Sequence, residues 1–224
     1  MTNTQPIVYC SGPLFCPEEI GGMTAIANAL EAAGYSTFVP HRDGLEYYTM
    51  GSVNLPVKLS NIPAKVISRL IFALDIYQIV ERCDGFVMNF NGRVPDEGAV
   101  AEAGIAYASG TPMIIYKNDV RSKFNGVDNG MVTCLSHAPL VSSIEKIPAV
   151  LSKVIEKASE KGPSPYQGDN IPVVMQDTVA LGRQVWQVMQ KTRLTGGAQK
   201  HDAELVSGIA ELCAEHPVLV GNDH

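Results

Sequence analysis

Four short apolar runs, separated by segments with helical spacing, constrain the fold of this chain more than any other feature. The runs cover residues 6–11, 35–40, 84–90 and 112–116. Their length and their content of β-branched and aromatic residues predict buried strands. Alternation of buried strands with helices is typical of a parallel sheet that helices cover on both faces. The sequence therefore predicts an α/β fold with right-handed crossover connections.

A Pro/Gly-rich stretch at 162–172 sets the predicted domain organisation, because only predicted helices follow it. The stretch at 162–172 reads as a linker. We therefore expect an α/β domain over residues 1–162, and a linker with a helical C-terminal extension over residues 163–224. The predicted helices cover residues 17–33, 63–82, a segment that begins at Asp96, 143–160, 173–192 and 200–215.

The composition limits the classes of partner. The 224 residues are 46% hydrophobic and carry a net charge of −6 with no basic block, so nucleic acid is not an expected partner. No apolar run approaches the roughly 18 residues that a membrane span needs, so we expect no membrane contact. The five cysteines are odd in number and form no CxxC pair. This favours reduced thiols in a cytoplasmic protein over disulfides or a zinc site.

Glu102 is the residue that most needs an explanation. It lies in a helix of small apolar residues, about two turns after Asp96, and this is too deep to cap the helix. A solvated helix face or a salt bridge would account for it, and so would chemistry at the carboxyl ends of the strands, where ligands of parallel sheets bind. Asp96 is equally compatible with an N-cap alone.

A carboxylate at such a place can attack an anomeric carbon and form a glycosyl-enzyme ester. A second acid then protonates the leaving group, and Asp75 and Asp96 are candidates. Asp75 lies on the apolar face of its helix, where an unpaired carboxylate is costly. Because burial raises the pKa of a carboxyl group, such an acid predicts activity that is skewed to mildly acidic pH. Asp84 opens a strand and is better explained as a turn residue.

Several segments resemble the nucleoside 2-deoxyribosyltransferase family. They are YCSGPLF (9–15), DIYQIVERCDGFVMNF (75–90), DEGAVAEAGIAYASGTPMIIY (96–116) and GVDNGMV (126–132). The resemblance covers roughly residues 7–135. It implies a Rossmann-like (flavodoxin-like) parallel sheet and the transfer of 2-deoxyribose between nucleobases, as in nucleotide salvage. No metal or organic cofactor is expected, and the expected partners are 2′-deoxyribonucleosides and free nucleobases.

The resemblance also implies roles for individual residues around the reacting bond. Glu102 would be the nucleophile, and Tyr9 would position it. Asp75 and Asp96 would bind the nucleobase and handle its proton.

Four further residues complete the expected site. Gly12 and Phe15 belong to the turn after the first strand, which would line the substrate site. Asn129 would contact the sugar 5′-hydroxyl, with Met131 beside it. Members of the family often receive this last element from a neighbouring subunit, so the resemblance implies a homo-oligomer with a shared site.

The sequence leaves other readings open. Ala101 and Ala103, which flank Glu102, depart from the residues common in the family, and the resemblance says nothing about the C-terminal tail. An N-glycosidase acting on nucleosides or 5′-nucleotides would use the same residues, although Pro13, Leu14 and Phe15 add no phosphate donors and so favour a nucleoside. A non-catalytic nucleotide-binding module is a third reading.

The segment 41–62 is too long and too polar for an ordinary connection, which indicates a functional or mobile loop. Within it, Tyr47 and Tyr48 are our candidates for stacking on the nucleobase. The sequence does not predict whether purines or pyrimidines are preferred.

Overall fold

The computed structural model describes residues 5–49, 62–92, 94–119, 127–162, 170–193 and 198–216. Its strands are β1 (Ile7–Ser11), β2 (Ser36–Phe38), β3 (Gly85–Asn89) and β4 (Met113–Tyr116). Its helices are α1 (Pro17–Ala32), α2 (Pro40–Asp43), α3 (Glu46–Thr49), α4 (Ala64–Tyr77), α5 (Glu97–Ser109), α6 (Gly130–Thr133), α7 (Ile147–Ser159), α8 (Val173–Arg193) and α9 (Ala198–Glu215). A π-helical turn, Gln78–Arg82, follows α4, and a 3₁₀ turn, Ile144–Lys146, precedes α7.

The four strands form one parallel sheet in the order β2-β1-β3-β4. This is the strand order of a flavodoxin-like fold, and it confirms the predicted Rossmann-like α/β architecture. The chain runs outward from β1 to β2 and then crosses to β3 on the other side of β1. Such a reversal of direction opens a crevice beyond the carboxyl ends of β1 and β3. Ligands of open α/β sheets bind there.

The two faces of the sheet carry different side chains, because successive residues of a strand point to opposite sides. On one face, Val8 and Cys10 of β1 and Val87 of β3 belong to an apolar core that also contains Ile26 of α1 and Leu151 of α7. On the other face, Tyr9 and Ser11 point toward α5, as their hydrogen bonds to that helix show. Helices therefore cover both faces, as predicted.

The chain divides into two compact units. Unit 1 consists of residues 1–40 and 78–172, and unit 2 of residues 41–77 and 173–224. The whole sheet lies in unit 1. Unit 2 joins residues 41–77 to the C-terminal helices, a grouping that differs from the expected division at 162/163. The expected domain boundary itself stays a prediction.

Unit 2 is built on the packing of α4 against α8 and of α8 against α9. The contact between α4 and α8 depends on Gly182. A Cβ atom at this position would lie 2.0 Å from the carbonyl oxygen of Ala73 and 2.6 Å from Cβ of Tyr77. Only a residue without a side chain lets the two helix backbones approach so closely.

The structure adds detail where the sequence predicted loops or longer helices. The predicted helix 63–82 ends its α-helical part at Tyr77 and continues as the π-helical turn, in which Cys83 N–H donates to the Gln78 carbonyl at 2.8 Å. The predicted loop 41–62 overlaps all of α2 except Pro40 and contains α3. Residues 50–61, most of the predicted linker (163–169) and residues 194–197 lie outside the described residues. Among the helices that the structure describes, none is long and apolar enough to cross a membrane.

Candidate active site

Glu102 of α5 is held by two hydroxyl groups from β1. The Tyr9 hydroxyl donates to Oε1 at 3.0 Å, and the Ser11 hydroxyl donates to Oε2 at 2.6 Å. Tyr9 and Ser11 are both fully buried, whereas Glu102 is partly exposed. The two hydroxyls therefore orient the carboxylate of a residue that is not fully buried.

Strand geometry explains how β1 supplies both hydroxyls. Residues 9 and 11 are two apart, so they point to the same face of the sheet. The ring of Tyr9 stacks between Phe38 and Phe86, with centroid distances of 5.4 and 5.5 Å. Buried aromatic neighbours on both sides of the ring fix the position of its hydroxyl.

The small residues of α5 explain how Glu102 comes within reach of the sheet. Ala99, Ala103 and Ala106 form the buried side of this helix. Because their side chains are short, the helix axis can lie close to the strands, and the longer side chain of Glu102 spans the remaining distance. The helix ends at Gly110, whose φ of 76° is a left-handed conformation that favours glycine.

Asp96 is the N-cap of α5. Its Oδ2 accepts a hydrogen bond from the Ala99 backbone N–H at 2.7 Å. The structural role that the sequence offered for Asp96 is therefore present, and its second role, toward the nucleobase, stays a prediction. Asp84 likewise has a structural contact, because its Oδ2 accepts from the Ile7 backbone N–H at 2.8 Å.

Gly12 lies where β1 ends, beside Asn89 at the end of β3. A Cβ atom on Gly12 would lie 2.6 Å from Sδ of Met23 and 2.8 Å from Cβ of Asn89. Close packing therefore accounts for glycine at this position, whatever the ligand. Phe15, in the same turn, is 76% exposed. The predicted substrate contacts of Gly12 and Phe15 stay predictions.

Asn129 precedes the short helix α6, and Met131 lies within it. This helix packs near α5. Oδ1 of Asn129 accepts from the Met131 backbone N–H at 3.0 Å and so caps this helix. The side chain of Met131 is 81% exposed. The sequence predicted no helix here, and α6 covers only Gly130–Thr133. The predicted contacts of Asn129 and Met131 with the sugar stay predictions.

Asp75, the other predicted acid, lies in unit 2. It is 6% exposed and hydrogen-bonds through its side chain to Glu46 of α3. Burial raises the pKa of Glu46, and the hydrogen bond from Asp75 partly offsets this effect. The predicted role of Asp75 toward the nucleobase stays a prediction.

Tyr47 and Tyr48 also lie in unit 2, with their rings edge to face at 5.0 Å between centroids. Tyr47 is 44% exposed. Their predicted stacking on a nucleobase remains untested. In the described parts of the chain, no three His, Cys, Asp or Glu side chains cluster as a metal site would require.

A comparison with known protein families shows which family this chain belongs to. The family model described as nucleoside 2-deoxyribosyltransferase matches residues 8–134, which is more than half of the chain. The chain belongs to the nucleoside 2-deoxyribosyltransferase family. The match contains β2 to β4, all of β1 except Ile7, and both Tyr9 and Glu102. The resemblance drawn from the sequence is thereby confirmed.

Other comparisons are less informative. No curated protein matches the chain. A solved structure described as a conserved protein from Enterococcus faecalis V583 aligns with 69% of this chain and 99% of its own, at 18% identity and a TM-score of 0.48.

Two features of this deoxyribosyltransferase-family site were not predicted from the sequence. The first is the bond from Ser11 to Glu102, which the two-residue spacing from Tyr9 would have revealed. The second is Lys117, at the end of β4, whose ammonium pairs with Asp128 and lies 3.7 Å from Asp119 and 5.5 Å from the Phe90 ring centroid. Asp128 precedes Asn129 directly, so the buried Lys117 anchors the segment that carries the predicted sugar contact.

Proposed function

We propose that this protein exchanges nucleobases on 2′-deoxyribonucleosides through a covalent deoxyribosyl ester of Glu102. The observation that carries the proposal is the partly exposed Glu102, whose two carboxylate oxygens accept hydrogen bonds from the hydroxyls of Tyr9 and Ser11. A carboxylate in a fixed orientation at the carboxyl end of a parallel sheet is suited to attack a bound anomeric carbon.

The reaction has two displacements. Glu102 attacks C1′ while the bond from C1′ to the base breaks, through an oxocarbenium-like transition state. The electron pair of that bond leaves with the base, which takes up a proton. A second base then gives up the proton of its ring nitrogen to the base-side acid and attacks C1′ from the face that the first one left, while the bond from C1′ to Glu102 breaks and releases the carboxylate. Two inversions give net retention, and the kinetics are ping-pong.

Family membership supports the assignment of the remaining roles. Asp96 and Asp75 are the proposed base-side groups, and Asn129 with Met131 is the proposed sugar-side element, donated between subunits of a homo-oligomer. The high exposure of Met131 supports a contact outside its own chain. We place the reaction in the cytoplasm, where the exposed thiol of Cys134 stays reduced.

The hydrogen bonds of Glu102 also favour a substrate without a 2′-hydroxyl. The 2′ carbon is the neighbour of C1′, so a 2′-hydroxyl would lie against the attacking carboxylate. Both oxygens of that carboxylate already accept hydrogen bonds from Tyr9 and Ser11. A 2′-hydroxyl would crowd this carboxylate or add a further hydrogen bond that makes it less nucleophilic, so deoxyribonucleosides are the proposed substrates.

The test is chromatography of 2′-deoxyinosine incubated with the purified protein, with and without adenine. We expect 2′-deoxyadenosine and hypoxanthine to form together when adenine is present. Hypoxanthine with free deoxyribose, in amounts that adenine does not change, would instead establish an N-glycosidase. If neither appears, pyrimidine deoxynucleosides and 5′-phosphates are tested in the same way, and failure of all of them would leave only the binding-module reading.

Substitution of the nucleophile links the activity to this site. Glu102→Ala should reduce base exchange by more than about a thousandfold, since no other group can form the ester. Glu97→Ala is the matched control, because Glu97 lies on the same helix but is exposed in its first turn. Equal exchange by Glu102→Ala and the wild type would refute the assignment of the nucleophile.

A further inference from the structure

Ser11 is buried against the proposed nucleophile, yet neither the family match nor the resemblance assigns it a role. Its hydroxyl is fully buried and lies 2.6 Å from Oε2 of Glu102. This is the length of a charge-assisted O–H···O⁻ bond. The bond from Tyr9 to Oε1 is longer, at 3.0 Å. Of these two hydroxyl bonds, the one from Ser11 to Oε2 is therefore the shorter and stronger.

We propose that Ser11 is a positioning residue, an inference that rests on the proposed function. Its hydroxyl holds Oε2 of Glu102 throughout the reaction, and Oε1 attacks C1′. The more weakly bound oxygen keeps more of its electron density available for attack. The more strongly bound oxygen fixes the plane of the carboxylate.

The chemistry of the ester supports different roles for the two carboxylate oxygens. When the Oε1–C1′ bond forms, the C1′–N bond breaks and its electron pair leaves with the protonated base. Oε1 is then a bridging ester oxygen, which is a poor hydrogen-bond acceptor. Oε2 becomes a carbonyl oxygen, which still accepts a hydrogen bond. The bond from Ser11 can therefore persist in the intermediate, whereas the bond from Tyr9 weakens.

The backbone around Ser11 is suited to a fixed donor. Ser11 is the last residue of β1, and it pairs with Met88 in the parallel ladder between β1 and β3. Its neighbour Gly12 packs tightly against Met23 and Asn89. The hydroxyl is thus held by the sheet itself, and sites built on regular elements keep their geometry better than sites built on loops.

The test compares Ser11→Ala with Cys10→Ala. Cys10 precedes Ser11 on the same strand, is equally buried, and points to the opposite face, into the core with α1 and α7. Its truncation should lower the midpoint of thermal unfolding but leave kcat within about twofold of the wild type. Ser11→Ala should lower kcat for base exchange about tenfold to a hundredfold, the range expected for loss of a hydrogen bond to a charged group.

The split between kinetic constants separates positioning from other roles. KM for the acceptor base should be unchanged in Ser11→Ala, because Ser11 contacts the nucleophile and not the base. Ser11→Cys keeps a weak donor in nearly the same volume, so its kcat should lie between those of the wild type and Ser11→Ala. This second variant also provides a test if Ser11→Ala does not fold.

Three results would overturn the inference: a kcat of Ser11→Ala within twofold of the wild type, equal losses in Ser11→Ala and Cys10→Ala, or a rise in KM at constant kcat. Failure of the proposed function looks different. In that case the wild type shows no base exchange, or Glu102→Ala exchanges bases as fast as the wild type.

Discussion

Replacement of Gly182 by alanine should destabilise the pair of helices α4 and α8. The added Cβ atom would lie 2.0 Å from the carbonyl oxygen of Ala73, and ordinary van der Waals contact begins at 3.4 Å. The shortfall is about 1.4 Å, and it involves backbone atoms, which cannot rotate away as a flexible side chain can. Alanine at this position therefore forces the two helices apart.

The magnitude follows from two opposing effects. Overpacking of a close contact costs about 1–3 kcal/mol, and occasionally more. Alanine is a better helix former than glycine by about 0.8–1.0 kcal/mol, which offsets part of this cost. Because the obstacle is backbone, we place the net loss near the upper limit, at about 2 kcal/mol. For a chain of this size such a loss lowers the unfolding midpoint by about 4–8 °C.

The assay is thermal unfolding followed by far-ultraviolet circular dichroism. Gly21→Ala is the matched control, since Gly21 also lies inside a helix, α1, but a Cβ atom there would meet nothing within 4 Å. Its midpoint should equal or exceed that of the wild type, because only the gain in helix propensity applies. A Gly182→Ala midpoint at or above that of Gly21→Ala would refute the reasoning from close packing.

Two other substitutions test single groups. Tyr9→Phe removes the donor to Oε1 of Glu102 but keeps the stacked ring. Because this bond weakens as the ester forms, kcat for base exchange should fall less than in Ser11→Ala, with little change in the unfolding midpoint; a loss of kcat as large as that of Ser11→Ala would contradict this. Burial raises the pKa of Glu46 in the folded protein above its ordinary value of 4.5, so the folded state binds a proton more tightly than the unfolded state does. The stability that this proton contributes is lost as the pH rises through the raised pKa. The midpoint of the wild type should therefore fall more between pH 5 and pH 8 than that of Glu46→Gln, and parallel pH profiles would count against the buried carboxyl.

The sheet could be predicted because its strands are short apolar runs that end at clear breaks. Predicted and observed strands differ by at most two residues at either end, for example 6–11 against Ile7–Ser11. The helix around Glu102 was equally clear, since Asp96 begins it and Gly110 ends it. Burial on both faces makes such patterns strong, because the whole run must be apolar.

The contacts of side chains between elements were harder to predict. The bond from Ser11 to Glu102 was not predicted, although the spacing of Ser11 from Tyr9 places both hydroxyls on one face of the sheet. The packing of α4 with α8 could not be predicted at all. It depends on Gly182 facing Ala73, two residues more than 100 positions apart, and helical periodicity gives no information about which helices meet.

The packing of α4 with α8 has a consequence for the synthesis of this protein. A ribosome completes α4, with Asp75 near its end, long before it reaches residues 173–193. During that interval the strands of unit 1 can already pair, whereas the apolar face of α4 lacks its helical partner. Contacts so distant in the chain form slowly, and an apolar surface that waits for its partner favours aggregation. Variants that weaken the α4–α8 contact should therefore depend on chaperones more than other variants do. They should also lose more yield when the protein is expressed at high temperature.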